Sequence, residues 1–172
     1  TKIHDLEEFI KEIISYSRNA RMEVRRQPVN LKQTVKEVTD ALTFSVGNPD
    51  ISIENFVSDD MIVNTDSMRL KIVLSNLIDN AVKHHDREAG RILVTCIDHP
   101  TALEILVTDD GPGIPKEHRE SIFLPFRNLS GNGEGMGLAI VQKMVAAAQG
   151  SIQVRDNIDQ SRGVTFIVHW PK

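Results

Sequence analysis

Residues 74–86 read LSNLIDNAVKHHD and form the centre of a longer helical pattern. Apolar residues recur three and four positions apart around this stretch, which predicts one long helix, capped at residue 66 or 67 and running to about residue 85. Asn76, Asn80 and Lys83 lie four and three residues apart, so they share one face of the helix beside its apolar stripe. Because asparagine is a poor helix former, two on one face of a core helix need a reason.

This polar face has the chemistry of a metal-phosphate site. Amide oxygens suit a hard cation such as Mg²⁺, which keeps several waters and phosphate oxygens as its other ligands. Lys83 would supply positive charge to the phosphates. For either asparagine alone, a solvated or capping amide is an equally good interpretation, and it is the lysine on the same face that favours the site.

A second segment, DDGPGIP at residues 109–115, follows a predicted strand. Its glycines at 111 and 113 let a ligand approach the backbone closely. An ionised Asp109 only accepts hydrogen bonds, so it would select adenine, which offers an exocyclic amine, over guanine, which offers a carbonyl. A buried polar group left without its partner costs about 1–3 kcal/mol. Taken alone, the segment is more typical of an ordinary Asp-Gly turn.

Two further segments complete the pattern. Residues 122–127, IFLPFR, place aromatic residues and a proline in a polar stretch, which predicts a hydrophobic anchor and one end of a mobile lid. Residues 131–144, GNGEGMGLAIVQKM, place glycines directly before an apolar helix, whose free N–H groups can bind phosphate. This is not a Walker A loop, because no Gly-Lys-Ser/Thr follows, and not a Rossmann fingerprint, because no strand runs directly into it.

The whole pattern predicts a two-layer α/β sandwich, in which a mixed sheet carries about three helices on one face. Gln27 and Pro28 mark a predicted loop, and residues 98–101 are short enough to join two strands in a hairpin. The predicted helices cover residues 5–22, 31–44, 66–85, 116–122 and 135–148. The predicted strands cover residues 51–57, 61–64, 91–97, 103–108, 151–155 and 163–170.

Composition excludes several classes of protein. The chain has 172 residues and a formal net charge of −4, which disfavours a general nucleic-acid binder. Its one cysteine, Cys96, excludes a disulfide framework and a cysteine-based zinc site within the chain. No stretch approaches the roughly 18–20 apolar residues of a membrane span, and the first residues lack the apolar core of a signal peptide. We therefore expect a cytoplasmic domain, which can belong to a longer, membrane-attached protein.

In this order, the four segments resemble the N, G1, F and G2 boxes of the histidine kinase catalytic domain, over residues 29–170. That domain belongs to the GHKL ATPase superfamily, shared with gyrase B, the Hsp90 chaperones and MutL. The resemblance implies a Bergerat-type α/β sandwich that holds ATP, with Mg²⁺, between a long helix and a lid.

The resemblance also implies a role for each matching residue. Asn80 would bind Mg²⁺, Asn76 and Lys83 would act catalytically on the phosphates, and Asp109 would bind the adenine amine. His84 takes a position often held by tyrosine, so it belongs to the implied nucleotide site, although for His84 and His85 a solvated helix end is an equal alternative. The other implied nucleotide-binding residues are Gly111, Gly113, Ile114, Phe126, Gly133, Gly135, Met136, Gly137 and Leu138.

The N-terminal part adds a second resemblance. Residues 13–31, IISYSRNARMEVRRQPVNL, look like the end of the second dimerisation helix and its linker in these kinases, although any amphipathic helix would give a similar pattern. This divides the chain into a helix end and linker at 1–28 and a catalytic domain at 29–172. His4 lies too close to the linker to be the phosphoacceptor, so we expect it on the surface and the acceptor histidine upstream.

Residue 76 discriminates among the members of the superfamily. Gyrase-like ATPases and the serine kinases of anti-sigma factors usually carry a glutamate here, which activates water or a hydroxyl group. Asn76 cannot take a proton, whereas a neutral imidazole already carries a lone pair. The sequence therefore predicts transfer of the ATP γ-phosphoryl group to a histidine on a dimerisation domain, and then to a response regulator, within a homodimeric parent protein. The alternatives are a degenerate nucleotide-binding docking module, or a serine kinase or ATPase.

Overall fold

The computed structural model describes residues 23–46, 50–125, 137–159 and 161–172, together with the helical residues 3, 7, 10, 11, 14, 17 and 18. The elements are, in chain order, β1 (Arg26–Asn30), α1 (Leu31–Val46), β2 (Ile51–Asn55), β3 (Ile62–Asp66), α2 (Ser67–Lys83), β4 (Gly90–Asp98), β5 (Ala102–Asp109), the 3₁₀ turns Lys116–His118 and Ser121–Phe123, α3 (Gly137–Ala147), β6 (Ser151–Asp156) and β7 (Val164–Pro171).

A mixed five-stranded sheet forms one layer, with strand order β2-β4-β5-β7-β6. β2 runs parallel to β4, and the pairs β4–β5, β5–β7 and β6–β7 are antiparallel. The predicted hairpin between β4 and β5 is confirmed, and α1, α2 and α3 share one apolar core with the sheet, as the sequence predicts. Among the sheet residues in this core are Ile92, Val94, Leu103, Ile105, Val107, Phe166, Val168 and Trp170.

A second sheet replaces the loop predicted at residues 27 and 28. β1 pairs antiparallel with β3, and Pro28 lies opposite Asn64. Proline lacks an N–H but is tolerated in a strand with a free edge, which each strand of a two-stranded sheet has. The indole N–H of Trp170 donates to the Thr65 hydroxyl at 2.8 Å, which joins the small sheet to the large one.

α2 begins where its pattern predicts. Asp66 is its N-cap, and one carboxylate oxygen accepts the Arg69 N–H at 3.1 Å, which satisfies a free donor of the first turn. The other oxygen accepts the N–H of Arg25, just before β1, at 3.2 Å. The helix ends at Lys83, two residues before the predicted end, because the His84 N–H turns back to the carbonyls of Asn80 and Val82.

Other predicted boundaries need small corrections. α1 runs to Val46, two residues beyond the prediction, and the predicted strand over residues 51–57 ends at Asn55. The helix predicted over residues 116–122 is instead two short 3₁₀ turns, because so short a run cannot sustain α-helical hydrogen bonding by itself. The predicted start of the last helix at residue 135 lies outside the described residues.

Candidate functional site

The polar face of α2 meets the start of α3 at Asn76. Its side-chain amide donates to the Ile72 carbonyl at 2.8 Å, which fixes the rotation of the amide group. A Cβ atom on Gly137 would lie 3.1 Å from Asn76 Oδ1, closer than ordinary van der Waals contact. A glycine at this position therefore lets the N-terminus of α3 approach the asparagine. In this way the segment 131–144 comes into contact with the segment 74–86.

One turn further along α2 lie Asn80 and Lys83. Asn80 is partly buried, and Lys83 is exposed. Lys83 Nζ lies 2.9 Å from a carboxylate oxygen of Asp79, a partner that the sequence interpretation missed although the spacing of four residues is typical of such a pair. The positive charge predicted for the phosphates is thus compensated in this structure.

Asp109, the last residue of β5, presents its carboxylate at the start of the glycine loop. Oδ1 accepts the Gly111 N–H at 3.0 Å. Burial raises the pKa of Asp109, and the negative Asp110 raises it further, although hydrogen bonds from the backbone N–H groups of Gly111 and Val164 act in the opposite direction. The carboxylate is therefore an acceptor held in a partly desolvated place.

The glycine loop lies against the end of α2. A Cβ on Gly111 would stand 3.9 Å from the His84 carbonyl oxygen. Gly113 has φ +80°, a backbone conformation that glycine adopts without strain. The Ile114 carbonyl accepts a hydrogen bond from Arg119 Nε at 3.1 Å, and the Ile114 side chain packs against the core. The loop is thus anchored at both ends.

A buried asparagine supports the loop from behind. The Asn157 amide donates to the carbonyls of Asp109, at 3.0 Å, and of Arg162, at 2.9 Å, and its oxygen accepts the Thr165 hydroxyl at 2.8 Å. Gly163 backs directly onto Asp109, since a Cβ there would lie 1.9 Å from the Asp109 carbonyl oxygen. The β6–β7 connection thus fixes the backbone of Asp109.

The two histidines after α2 are not a solvated helix end. The His85 side chain is only 1% exposed, and Nε2 lies 2.8 Å from Asp110 Oδ1. His84 is partly buried, and this burial lowers its pKa, which Lys83 lowers further, whereas Asp79 raises it. The His84 imidazole is therefore predominantly neutral at neutral pH.

The described residues contain no group of three or more His, Cys, Asp or Glu side chains able to hold a metal ion. Asn80, on α2, offers an amide oxygen, and Mg²⁺ commonly takes few such oxygen ligands from a protein. Among the described helices, none is long and apolar enough to cross a membrane.

Residues 65–172 match the family model of histidine kinase-, DNA gyrase B- and HSP90-like ATPases. The chain belongs to this ATPase family. Sensor histidine kinase AtsR of Burkholderia thailandensis is 28% identical to it over 99% of the chain, and the match covers 29% of AtsR.

Two solved structures share the fold of this ATPase-family chain. Full-length ShkA in complex with AMPPNP is 28% identical, with a TM-score of 0.83 over 96% of this chain and 35% of ShkA. Histidine kinase ThkA in complex with response regulator protein TrrA is 30% identical, with a TM-score of 0.79 over 99% of this chain and 48% of the ThkA chain. The chain thus spans less than half of these longer proteins.

Within the part of this ATPase-family chain that the structure describes, predicted site residues come together at two places. Asn76 lies against Gly137, and Gly111 lies between the Asp109 carboxylate, which accepts its N–H, and the His84 carbonyl. Leu138, in the first turn of α3, packs partly buried against the core. Phe126, Gly133, Gly135 and Met136 lie outside the described residues.

The sequence interpretation missed the residues that support the ATPase-family site. Asn157 and Arg162 lie in a polar connection whose composition is that of any surface loop. Only Gly163, directly before a strand, signals a close backbone approach there. Their function becomes visible only when the sheet brings that connection beside Asp109.

Proposed function

We propose that the chain is the ATP·Mg-binding catalytic domain of a sensor histidine kinase. The observation that carries the proposal is the placement of the partly buried Asp109 carboxylate beside the end of α2, whose polar face carries Asn76, Asn80 and Lys83. One end of such a site suits a base, and the other suits a phosphate chain. Because ATP is a cytoplasmic substrate, we also propose that the domain works in the cytoplasm.

At the base end, the ionised Asp109 accepts a hydrogen bond from the exocyclic amine of adenine. Guanine presents a carbonyl at that place and would face the carboxylate without a donor. Gly111 and Gly113 keep the loop thin enough for the base to lie against its backbone. The site therefore selects adenine by hydrogen bonding as well as by shape.

At the phosphate end, Asn80 supplies an amide oxygen to Mg²⁺, and Lys83 exchanges Asp79 for a phosphate oxygen. Bound Mg²⁺ neutralises part of the phosphate charge. The free N–H groups at the start of α3, at Gly137 and Leu138, face the same phosphates. Asn76 orients the phosphate chain without removing a proton.

The absence of a base at residue 76 decides the acceptor. Water and serine need a base to attack phosphorus, whereas a neutral imidazole nitrogen does not. We therefore propose transfer of the γ-phosphoryl group to a histidine on a separate dimerisation domain and onward to a response regulator, within a homodimer. The complex of the similar kinase ThkA with TrrA supports a response regulator as partner.

We also propose that residues 1–28 are the end of a dimerisation helix and its linker, followed by the catalytic domain at 29–172. The described residues of this segment are helical up to residue 18, and Ile3, Ile10 and Ile14 are exposed. Apolar side chains exposed on one helix suit packing against another helix.

Calorimetric titration with ATP and GTP, each with and without Mg²⁺, tests the proposal. We expect Mg²⁺-dependent binding of ATP and at least tenfold weaker binding of GTP, because GTP leaves the Asp109 carboxylate without a donor. Asn80→Ala should remove the contribution of Mg²⁺, whereas Asn64→Ala, at an exposed asparagine of β3, serves as the matched control and should change nothing. Absence of ATP binding with Mg²⁺ in excess would refute the proposal.

Transfer is tested by radiolabelled ATP with a supplied histidine kinase dimerisation domain as acceptor. Radioactive label on the acceptor histidine would support the proposed histidine kinase function. ATP binding without transfer to any supplied acceptor supports a nucleotide-binding docking module instead, and substantial ATP hydrolysis without an acceptor supports an ATPase.

A further inference from the structure

The imidazole of His85 occupies a closed space between α2 and β4. Its side chain is 1% exposed, and a Cβ on Gly90, the first residue of β4, would lie 2.2 Å from Nε2. Nδ1 faces the backbone of Arg87, 3.0 Å from its carbonyl oxygen and 3.2 Å from its N–H nitrogen. Nε2 lies 2.8 Å from Asp110 Oδ1, and because an ionised carboxylate only accepts hydrogen bonds, Nε2 carries a proton and donates it to Asp110.

Asp110 is the point at which three elements meet. The oxygen that faces His85 also accepts the Arg91 N–H of β4 at 2.9 Å. The Asp110 carbonyl accepts Arg162 Nη1, from the β6–β7 connection, at 3.3 Å. Arg162 in turn pairs through both terminal nitrogens with Asp86, three residues beyond the end of α2. The hydrogen bonds from Arg91 and His85 lower the pKa of Asp110 against the effect of its partial burial, in agreement with a well-satisfied carboxylate.

This arrangement links the two ends of the nucleotide site. The phosphate-binding face lies on α2, and the base-binding carboxylate belongs to Asp109, next to Asp110 in the chain. Asn157 holds the Asp109 carbonyl relative to the sheet, but it does not reach α2. His85 and Arg162 make the described side-chain connections between the end of α2 and the base-binding segment.

We propose that His85 and Arg162 are positioning residues, which act through Asp110 to fix the distance between the base-reading carboxylate of Asp109 and the phosphate-binding face of α2. This inference rests on the proposed nucleotide function. Neither residue touches the nucleotide. Their effect is that the base and the phosphates of one ligand are bound at the same time by a site that is already in the correct geometry. Such a site loses less entropy when the ligand binds.

The test compares His85→Leu with His85→Gln. Leucine fills the space without a donor, whereas the amide of glutamine reaches Asp110 from a position close to that of Nε2. We expect the Leu variant to bind Mg·ATP roughly tenfold more weakly, the loss typical of one hydrogen bond to a charged group, and the Gln variant to bind within about twofold of the unaltered chain. Affinity for Mg·tripolyphosphate, which lacks the base, should be equal in both variants.

Several outcomes would overturn the proposal. An equal loss of Mg·ATP affinity in the Leu and Gln variants would show that His85 has a purely structural function. An unchanged Mg·ATP affinity in the Leu variant would show that His85 does not contribute to nucleotide binding. A loss of Mg·tripolyphosphate affinity as large as the loss of Mg·ATP affinity would show that the substitution disturbs the phosphate-binding face of α2 itself. If the Leu variant does not fold, Arg162→Gln, at a partly exposed side chain, replaces it, with an expected loss of several-fold for ATP only. Failure of the unaltered chain to bind ATP would refute the proposed function itself.

Discussion

At the scale of single residues, Asp109 has two opposing requirements. A carboxylate binds the adenine amine best when it is charged and shielded from water, but burial of a charge is costly. The raised pKa of Asp109 shows that the fold bears part of this cost in the absence of a ligand. A residue in this state contributes to binding and works against stability.

We therefore predict that Asp109→Asn lowers affinity for Mg·ATP by roughly tenfold or more without lowering the melting temperature at pH 7. Asparagine retains the oxygen that accepts the Gly111 N–H, but its NH₂ group faces the amine of adenine. Calorimetric titration measures the first effect, and differential scanning calorimetry measures the second.

The pH dependence of this stability effect has a definite sign. A carboxyl group whose folded-state pKa is raised destabilises the fold at pH values above that pKa, and the effect disappears below the unfolded value of about 3.9. Any gain in melting temperature from Asp109→Asn must therefore be present at neutral pH and vanish on acidification through that window. A gain that persists at low pH would contradict this account of Asp109.

Residues of the candidate site can be proposed from the sequence where their chemistry is local in the chain. Asp109 and the glycines at 111 and 113 form one short motif, and Asn76 and Lys83 share one helix. His85 and Arg162 could not be assigned, because their partners lie 25 and 76 positions away along the chain. A histidine after a helix has the same sequence pattern whether water or an aspartate covers it.

At the scale of elements, the contact between α2 and α3 depends on the missing side chain at Gly137. We predict that Gly137→Ala lowers affinity for Mg·ATP by a few-fold to tenfold, because the new Cβ would press on Asn76 Oδ1 at 3.1 Å and displace an amide that is tethered to Ile72. Global stability should hold, since alanine is a better helix former than glycine.

The matched control is Gln142→Ala, on the exposed face of α3. This change also introduces an alanine, which favours the helix, but it does not approach Asn76. Equal ATP affinities for the two variants would show that close approach of α3 to Asn76 does not matter for binding. Calorimetric titration and thermal unfolding measure both properties.

Elements were predictable where one pattern dominated. α2 has an uninterrupted apolar stripe and a capping aspartate, and its start was correct. β1 was missed because Pro28 is typical of a loop, and only its pairing with β3, far along the chain, makes it a strand. Strand pairing of this kind depends on tertiary contacts that a local pattern does not contain.

At the scale of the whole molecule, one buried hydrogen bond joins the two sheets. We predict that Thr65→Val destabilises the fold by about 1–3 kcal/mol, because the indole N–H of Trp170 is then buried without an acceptor. Thr65→Ser retains the hydroxyl and should lose clearly less. Urea unfolding followed by tryptophan fluorescence measures both, and unchanged stability of the Val variant would show that the hydrogen bond does not contribute.

The pair of Asp86 and Arg162 predicts a response to acid. The Arg162 guanidinium lowers the pKa of Asp86 to about 2. A lowered carboxyl pKa contributes stability that is present above the unfolded value of about 3.9 and is lost as the pH falls through the folded value. Arg162→Gln should therefore flatten the dependence of unfolding free energy on pH between about 4 and 2. A slope unchanged by this substitution would contradict the pairing.

The cap of α2 has a mechanical consequence. One carboxylate oxygen of Asp66 accepts the N–H of Arg69 in the first turn of the helix, and the other accepts the N–H of Arg25. The strands next to these two residues, β1 and β3, pair with each other. A displacement of the backbone at residue 25 would therefore move the start of α2, the helix that carries Asn76 and Asn80. The proposed phosphate-binding face is thus connected to the segment before β1, whereas Asp109, proposed to bind the base, belongs to the large sheet.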